Sequence, residues 1–200
     1  MTHTHTQYAE GVLQDVFTTD RAIYRAIAAN PTPTIDPTLR RLSNAANNSA
    51  LWMSLAALLA VKPGATRRAA VRGLASVALA SATSNIIGKG LARRARPDIV
   101  AAAVPAARNV RMPGSTSFPS GHAASALAFA GAVGSELPWL SFPLRLLATA
   151  VAYSRVHAGV HYPVDVVVGA AIGATSAEAT TYAARRLASR PLRNVSPTAW

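Results

Sequence analysis

Two hundred residues, half hydrophobic and 14% charged, depart from the composition of a soluble domain, in which about a quarter of residues carry charge. A net charge of +12, from 20 Lys and Arg against 8 Asp and Glu, calls for an anionic partner, and the lack of cysteine removes disulfide frameworks and thiolate metal sites. The basic residues cluster at the ends of apolar runs instead of spreading over a polar face between aromatics, which argues against nucleic acid and for a membrane protein of one domain.

Met1 to Glu10 is polar, lacks a signal-peptide pattern, and carries His3 and His5 as part of a solvated tail. Residues 8–29 place Val12, Leu13, Val16, Phe17, Ile23, Tyr24 and Ile27 three and four apart, opposite Asp15, Asp20, Arg21 and Arg25. That periodicity predicts an amphipathic helix with a candidate break near Thr19, too polar to span and suited to packing or to the lipid interface. Pro31-Thr32-Pro33 ends it, and Asp36-Pro37 predicts an N-cap followed by proline at the first helical position. The new helix is expected to run to Val61, its part from Ala45 forming a first membrane segment. Further segments are expected at 69–88, 121–137, 140–157 and 164–184. Between the second and third lies a stretch of different kind, Arg- and Pro-rich from 89 to 120, with a short apolar patch over 99–107. Alanine makes each span marginal, but small residues favour close helix contact, so a compact bundle of about five to six helices is expected.

Two crossings separate the Arg-rich stretch from the run Ser154 to Asp165, so both lie on one membrane face and can build one site. The opposite face receives Lys62, Arg67, Arg68, Arg72, Arg185, Arg186, Arg190 and Arg193, whereas residues 1–43 balance four Arg against four acids. By the positive-inside rule the site faces outward, and the basic loop on its side is explained if those charges hold an anion.

Three clusters share the site's face: Lys89 with Arg96-Pro97; Pro119-Ser120-Gly121-His122; and Arg155, His161 and Asp165. Guanidinium groups match phosphate oxygens, lysine adds a point charge, and backbone N–H groups at a helix start suit an anion. A neutral imidazole can attack phosphorus when an acceptor holds its other nitrogen. Asp165, four residues from His161, is placed for that, and His122 can protonate the leaving oxygen and later activate water. Ionisable groups beside apolar segments mark a functional site. An alternative uses His157, His161 and Asp165 as metal ligands at helical spacing, against which stand the neighbouring cations Lys89, Arg96 and Arg155.

Lys, six residues, Arg-Pro; Pro-Ser-Gly-His; and Ser-Arg, five residues, His, three residues, Asp occur in order and without substitution from 89 to 165. This resembles the three-part signature of the type 2 phosphatidic acid phosphatase superfamily, which also includes vanadium haloperoxidases. Ser117-Phe118-Pro119 and the run from His157 to Pro163 resemble its bacterial membrane-bound lipid phosphatases. The resemblance implies an all-α integral-membrane bundle without cofactor or metal. It implies that Lys89, Arg96 and Arg155 bind phosphate with Ser120 and the Gly121 backbone, that His161 forms a phosphohistidine, that Asp165 orients it, and that His122 is the acid-base.

The expected organisation is a polar tail and interfacial helix over 1–35, a membrane-embedded phosphatase domain over 36–188, and a basic cytoplasmic tail over 189–200. The expected activity is hydrolysis of a phosphate monoester or pyrophosphate of a polyprenyl carrier lipid or glycerolipid, on the extracytoplasmic face of a bacterial membrane. Alternatives are a phosphatidic acid or phosphatidylglycerol phosphate phosphatase, a haloperoxidase, and a non-catalytic lipid-phosphate binder. Of the remaining polar residues, His157 reads as structural or as pocket wall. Arg93 and Arg94 are read as contacts to lipid headgroups, Arg108 and Arg111 as headgroup selectors, and Asn44, Asn47 and Asn48 as floor of the site or helix packing.

Overall fold

A computed structural model describes residues 2–90 and 94–189, without the side chains of 2–6, 8–10, 13 and 88–90. Among the described residues there are seven α-helices and no strand: α1 (Thr2–Ala29), α2 (Asp36–Ala45), α3 (Ala50–Ala60), α4 (Ala65–Gly90), α5 (Gly121–Glu136), α6 (Pro138–His157) and α7 (Pro163–Ala188). The all-helical bundle expected from the sequence is the fold.

Helix α5 is the axis, packed on α4, α6 and α7. Its alanines 123, 124, 126, 128, 130 and 132 are buried, and their short side chains let neighbouring backbones close in. Gly169 and Gly173 of α7, one turn apart, face α5 so tightly that a Cβ at either would strike the carbonyl oxygen of Ser120 or Ala124. This approach sets the start of α7 against the start of α5, where the site lies. Farther along the bundle, Trp52 and Phe129 meet with ring centroids 5.4 Å apart in the main apolar core.

Only Ala65–Ile87 in α4 is, among the described residues, a helix long and apolar enough to cross a membrane by length and composition. Helix α5, with 16 residues, is shorter than the roughly 20 that span a bilayer. Alanine, glycine and serine in α5 to α7 favour helix contact at the expense of hydropathy.

Three expectations change. The helix expected from Asp36 to Val61 is broken: α2 ends at Ala45, a 3-10 turn covers Asn47–Ser49, and Asn48 and Ser49 adopt φ of 52° and 58°. Asp36 is the first residue of α2 and no N-cap; its buried carboxylate turns inward to accept from Thr32, Arg108 and His157. Helix α1 is unbroken at Thr19, and the face it buries is Asp20, Tyr24 and Ala28, leaving Val12, Val16, Phe17 and Ile23 exposed. The last tail residues, 190–200, lie outside the described residues.

Candidate active site

The ends of α4 and α6 and the starts of α5 and α7 meet at one end of the bundle, as antiparallel packing of successive helices requires. The Ser120 amide donates to the Asp165 carbonyl at 2.9 Å, pinning the two helix starts together. A cavity of about 890 Å³ opens there, with Arg96, Gly121, His122 and His161 in its wall.

His161 follows Gly159, whose φ of +72° lets the chain turn out of α6. A side chain at Gly159 would also meet Ile99 at 2.8 Å. The imidazole is buried, with Nε2 3.2 Å from Arg96 Nη1 and Nδ1 3.6 Å from Asp165 Oδ2. A guanidinium can only donate, so Nε2 is the acceptor and the neutral ring carries its proton on Nδ1, facing the carboxylate. The Nδ1 distance is longer than a hydrogen bond. Burial pushes the pKa of His161 down, with Asp165 opposing and the charges of Arg96 and Arg155 adding to the shift, so the ring is neutral at neutral pH.

Asp165 is fully buried and held on both oxygens. Oδ2 accepts from Ser117 Oγ and from the Tyr162 amide at 2.9 Å; Oδ1 accepts from Arg94 Nη1 at 2.8 Å. Arg94 reaches on through Nη2 to Asp20 of α1 at 2.5 Å, and its guanidinium lies 4.0 Å from the Tyr162 ring centre. Asp20 in turn accepts from the Val164 amide at 2.8 Å, satisfying one of the free N–H groups at the start of α7. Arg94 thus ties two buried carboxylates together, in place of the headgroup contact expected of it.

His122, in the first turn of α5, lies in the cavity wall with Nε2 3.0 Å from Asn47 Oδ1. The broken α2–α3 junction is what carries Asn47 there. Ser120 caps α5, its Oγ accepting from the Ala123 amide at 3.5 Å. Arg96 donates to the carbonyls of Val160, Ser115 and Thr116 and to Ser115 Oγ, so its head is fixed before any ligand arrives. Arg155 is 1% exposed and meets Ser43 Oγ at 2.5 Å, while its Nε and Nη2 have no partner among the described residues. The side chain of Lys89 lies outside the described residues, as does Arg93.

Two other expectations are corrected. Arg108 is fully buried and donates to Asp36, Thr32 and the carbonyls that end α1, so it cannot select a headgroup; Arg111 is exposed. His157 turns its Nε2 to Asp36 at 2.8 Å, away from His161 and Asp165, which leaves the three-ligand metal alternative without geometry. Among the described residues no group of three His, Asp or Glu converges as a metal site.

The sequence reading missed Asp20, the link through Arg94, the Ser117 bond to Asp165, and Asn47 as the partner of His122. The Ser117-Phe118-Pro119 texture was a usable signal for one. Asp20 had none, since it reads as the polar face of an amphipathic helix.

Residues 69–188 match the PAP2 superfamily. A decaprenylphosphoryl-5-phosphoribose phosphatase of Mycobacterium tuberculosis (strain CDC 1551 / Oshkosh) is 41% identical over 142 residues, covering 69% of this chain and 74% of the relative. One of the same description from Mycolicibacterium smegmatis is 40% identical over 130 residues, covering 65% and 68%. Among solved structures, the transmembrane PAP2 type phosphatidylglycerolphosphate phosphatase of Bacillus subtilis superposes with a TM-score of 0.70 at 20% identity, over 86% of this chain and 88% of that one. Aquifex aeolicus LpxE gives 0.66 at 23% identity, over 80% and 93%. At such identities the two structures speak for the fold.

Proposed function

This chain belongs to the PAP2 superfamily, and on that premise we propose that it removes the terminal phosphate monoester from a polyprenyl carrier lipid with a phosphorylated sugar headgroup, through a phosphohistidine at His161. It is a membrane-associated lipid phosphate phosphatase. The observation that carries the catalytic reading is a single cavity lined by His161, His122 and Arg96, beside a buried Arg155 with two donor nitrogens unpaired among the described residues. The polyprenyl sugar substrate is carried over from the mycobacterial relatives.

The substrate phosphate replaces His161 Nε2 as acceptor for Arg96 and takes the free donors of Arg155, with Lys89, Ser120 and the Gly121 amide as further holders. Nε2 forms a bond to phosphorus as the ester P–O bond breaks, and His122 gives its proton to the leaving alkoxide. Asp165 holds the Nδ1 proton and stabilises the cationic ring of the phosphohistidine. Water, deprotonated by His122, then attacks phosphorus, the P–N bond breaks, and inorganic phosphate leaves. Fixed guanidinium groups are the main source of rate, because charge develops on the phosphoryl oxygens.

The cavity end of the bundle is read as extracytoplasmic. At the other end, exposed Lys62, Arg67 and Arg68 join Arg185 and Arg186, the side the positive-inside rule assigns to the cytoplasm. Helices α3 to α7 are read as the membrane-embedded part, with the uncovered apolar stripe of α1 at the lipid interface.

Phosphate release from polyprenyl-phosphoryl-5-phosphoribose, phosphatidylglycerol phosphate and phosphatidic acid, in detergent with EDTA present, tests the activity. Release from the first and its loss in His161→Ala are expected; full turnover by that variant would remove the nucleophile. The chain has no cysteine, so Gly114→Cys at the cavity rim is a unique label site. Reaction with a membrane-impermeant maleimide in intact cells is expected, and labelling only after lysis would reverse the orientation.

A further inference from the structure

We propose that Ser81, Ser84 and Asn85 of α4 and Ser125 of α5 form a hydroxyl-reading subsite that holds a sugar ring next to the phosphate site. The proposal rests on the phosphatase reading of the same cavity and adds which part of the substrate the protein selects, and with which residues.

The cavity is far larger than the phosphate needs: about 890 Å³, against roughly 30 Å³ for a water's share of the liquid. Its inner wall is polar. Ser81, Ser84 and Asn85 stand at i, i+3 and i+4, so they share one face of α4, and all three line the cavity. Ser125 lies three residues after His122 on α5, one turn farther into the bundle on the same face. The wall therefore runs inward from the acid-base histidine.

These groups are poorly satisfied by one another. Ser125 Oγ lies 3.4 Å from both Ser49 Oγ and Ser81 Oγ, the limit of a hydrogen bond, and Ser84 Oγ, in a residue only 7% exposed, has no partner among the described residues. Asn48 and Ser49, in left-handed backbone geometry at the helix break, add two more polar side chains to this wall. A prenyl or acyl chain drawn into such a cavity would leave every hydroxyl unmatched. A ring bearing several hydroxyl groups, each both donor and acceptor, would match them. The apolar side of α4 faces outward, with Leu79 41% and Ile86 72% exposed, so the helix offers the tail a different surface from the headgroup. A site built to bond a substrate hydroxyl discriminates strongly against an analogue lacking it, because its own polar groups are then stranded.

The test compares the affinity of the full-length protein in detergent for ribose 5-phosphate and for its 2,3-dideoxy analogue, alongside the lipid turnover panel. The expected result is a preference for the ribose compound of about tenfold or more, reduced toward parity in Ser84→Ala and in Ser125→Ala, with both variants melting as folded proteins. No preference in the wild type, or an unchanged preference in both variants, overturns the subsite. A hydroxyl preference without phosphate release from any lipid would refute the phosphatase reading and leave the subsite standing. Turnover of phosphatidic acid and the sugar lipid at equal kcat/KM, with no hydroxyl preference, would do the reverse.

Discussion

Arg108 and Arg155 are both buried, 0% and 1% exposed, and they differ in what their donors meet. Arg108 gives Nε to Asp36 at 3.0 Å, Nη1 to the Ile27 carbonyl at 3.1 Å, and Nη2 to Asn30 and Thr32 at 2.5 and 2.9 Å. Among the described residues Arg155 has one bond, to a neutral serine, and no carboxylate. A buried cation is tolerable when paired and fully bonded, and otherwise raises the free energy of the fold. The first arginine therefore closes the structure at the α1–α2 junction. Under the proposed function the second meets its anion in the substrate phosphate. Donor satisfaction distinguishes the two cations, and burial alone does not separate them.

The sharpest way to break this contrast is to remove each charge in turn. Arg155→Met is expected to cut kcat about 10³-fold, the upper range for losing one preorganised donor to a developing oxyanion, while the melting temperature holds or rises. Inorganic phosphate should raise the melting temperature of the wild type and lose that effect in the variant. A variant that unfolds instead would make Arg155 structural like its counterpart. Arg108→Met is expected to do the opposite, costing about 3–5 kcal/mol of stability by stranding Asp36, as read from unfolding in denaturant, with kcat of the folded fraction near wild type. Loss of turnover in a stable Arg108→Met would collapse the distinction.

Much of this was legible before any coordinates. The three-part signature pointed to a lipid phosphatase, because phosphate needs cations, a nucleophile and a proton donor at set positions, and the family match agrees. Counting helices between the clusters put them at one end, and the bundle brings them together there. The helix break at 47–49 was not legible: asparagine and serine in an alanine-rich run fit a helix, and only the close meeting with His122 and Ser125 shows why the chain leaves it. The roles of Arg94 and Arg108 were missed for a common reason. Their partners, Asp20 and Asp36, lie 74 and 72 residues away, and ion pairs across such separations have no local pattern.

Asp20 and Arg94 form an intermediate case: a satisfied cation that touches the machinery. Asp20→Asn keeps an acceptor for the Val164 amide but removes the charge opposite Arg94. The expected effect is a fall of about tenfold in kcat with KM unchanged, because Asp165 loses a fixed neighbour while the phosphate holders are untouched. Asp20→Glu should recover part of it. Equal changes in kcat and thermal stability across both variants would reduce α1 to a strut.

The smallest effect concerns pH, and it separates the two arginine environments by observable: both pKa values are lowered, one read in activity and the other in stability. Burial and the cations Arg96 and Arg155 lower the pKa of His161, so the neutral form of the proposed nucleophile persists below the ordinary histidine value of about 6.5. The acid limb of kcat/KM is expected below that value; a limb above it would mean that Asp165 dominates the ring. For Asp36, burial alone would raise the pKa, but bonds from Thr32 and His157 and the Arg108 charge hold it below the usual carboxylate range. Its folded value thus lies under its unfolded one, so its contribution to stability is present above the unfolded carboxylate value of about 4 and is lost as pH falls through the depressed folded value. Melting curves from pH 7 down to 3 should show this acid loss in the wild type and a weaker one in Asp36→Asn, from a lower starting point. The activity limb is set by burial and by the cations around His161, the stability limb by the hydrogen bonds and the Arg108 charge that hold Asp36.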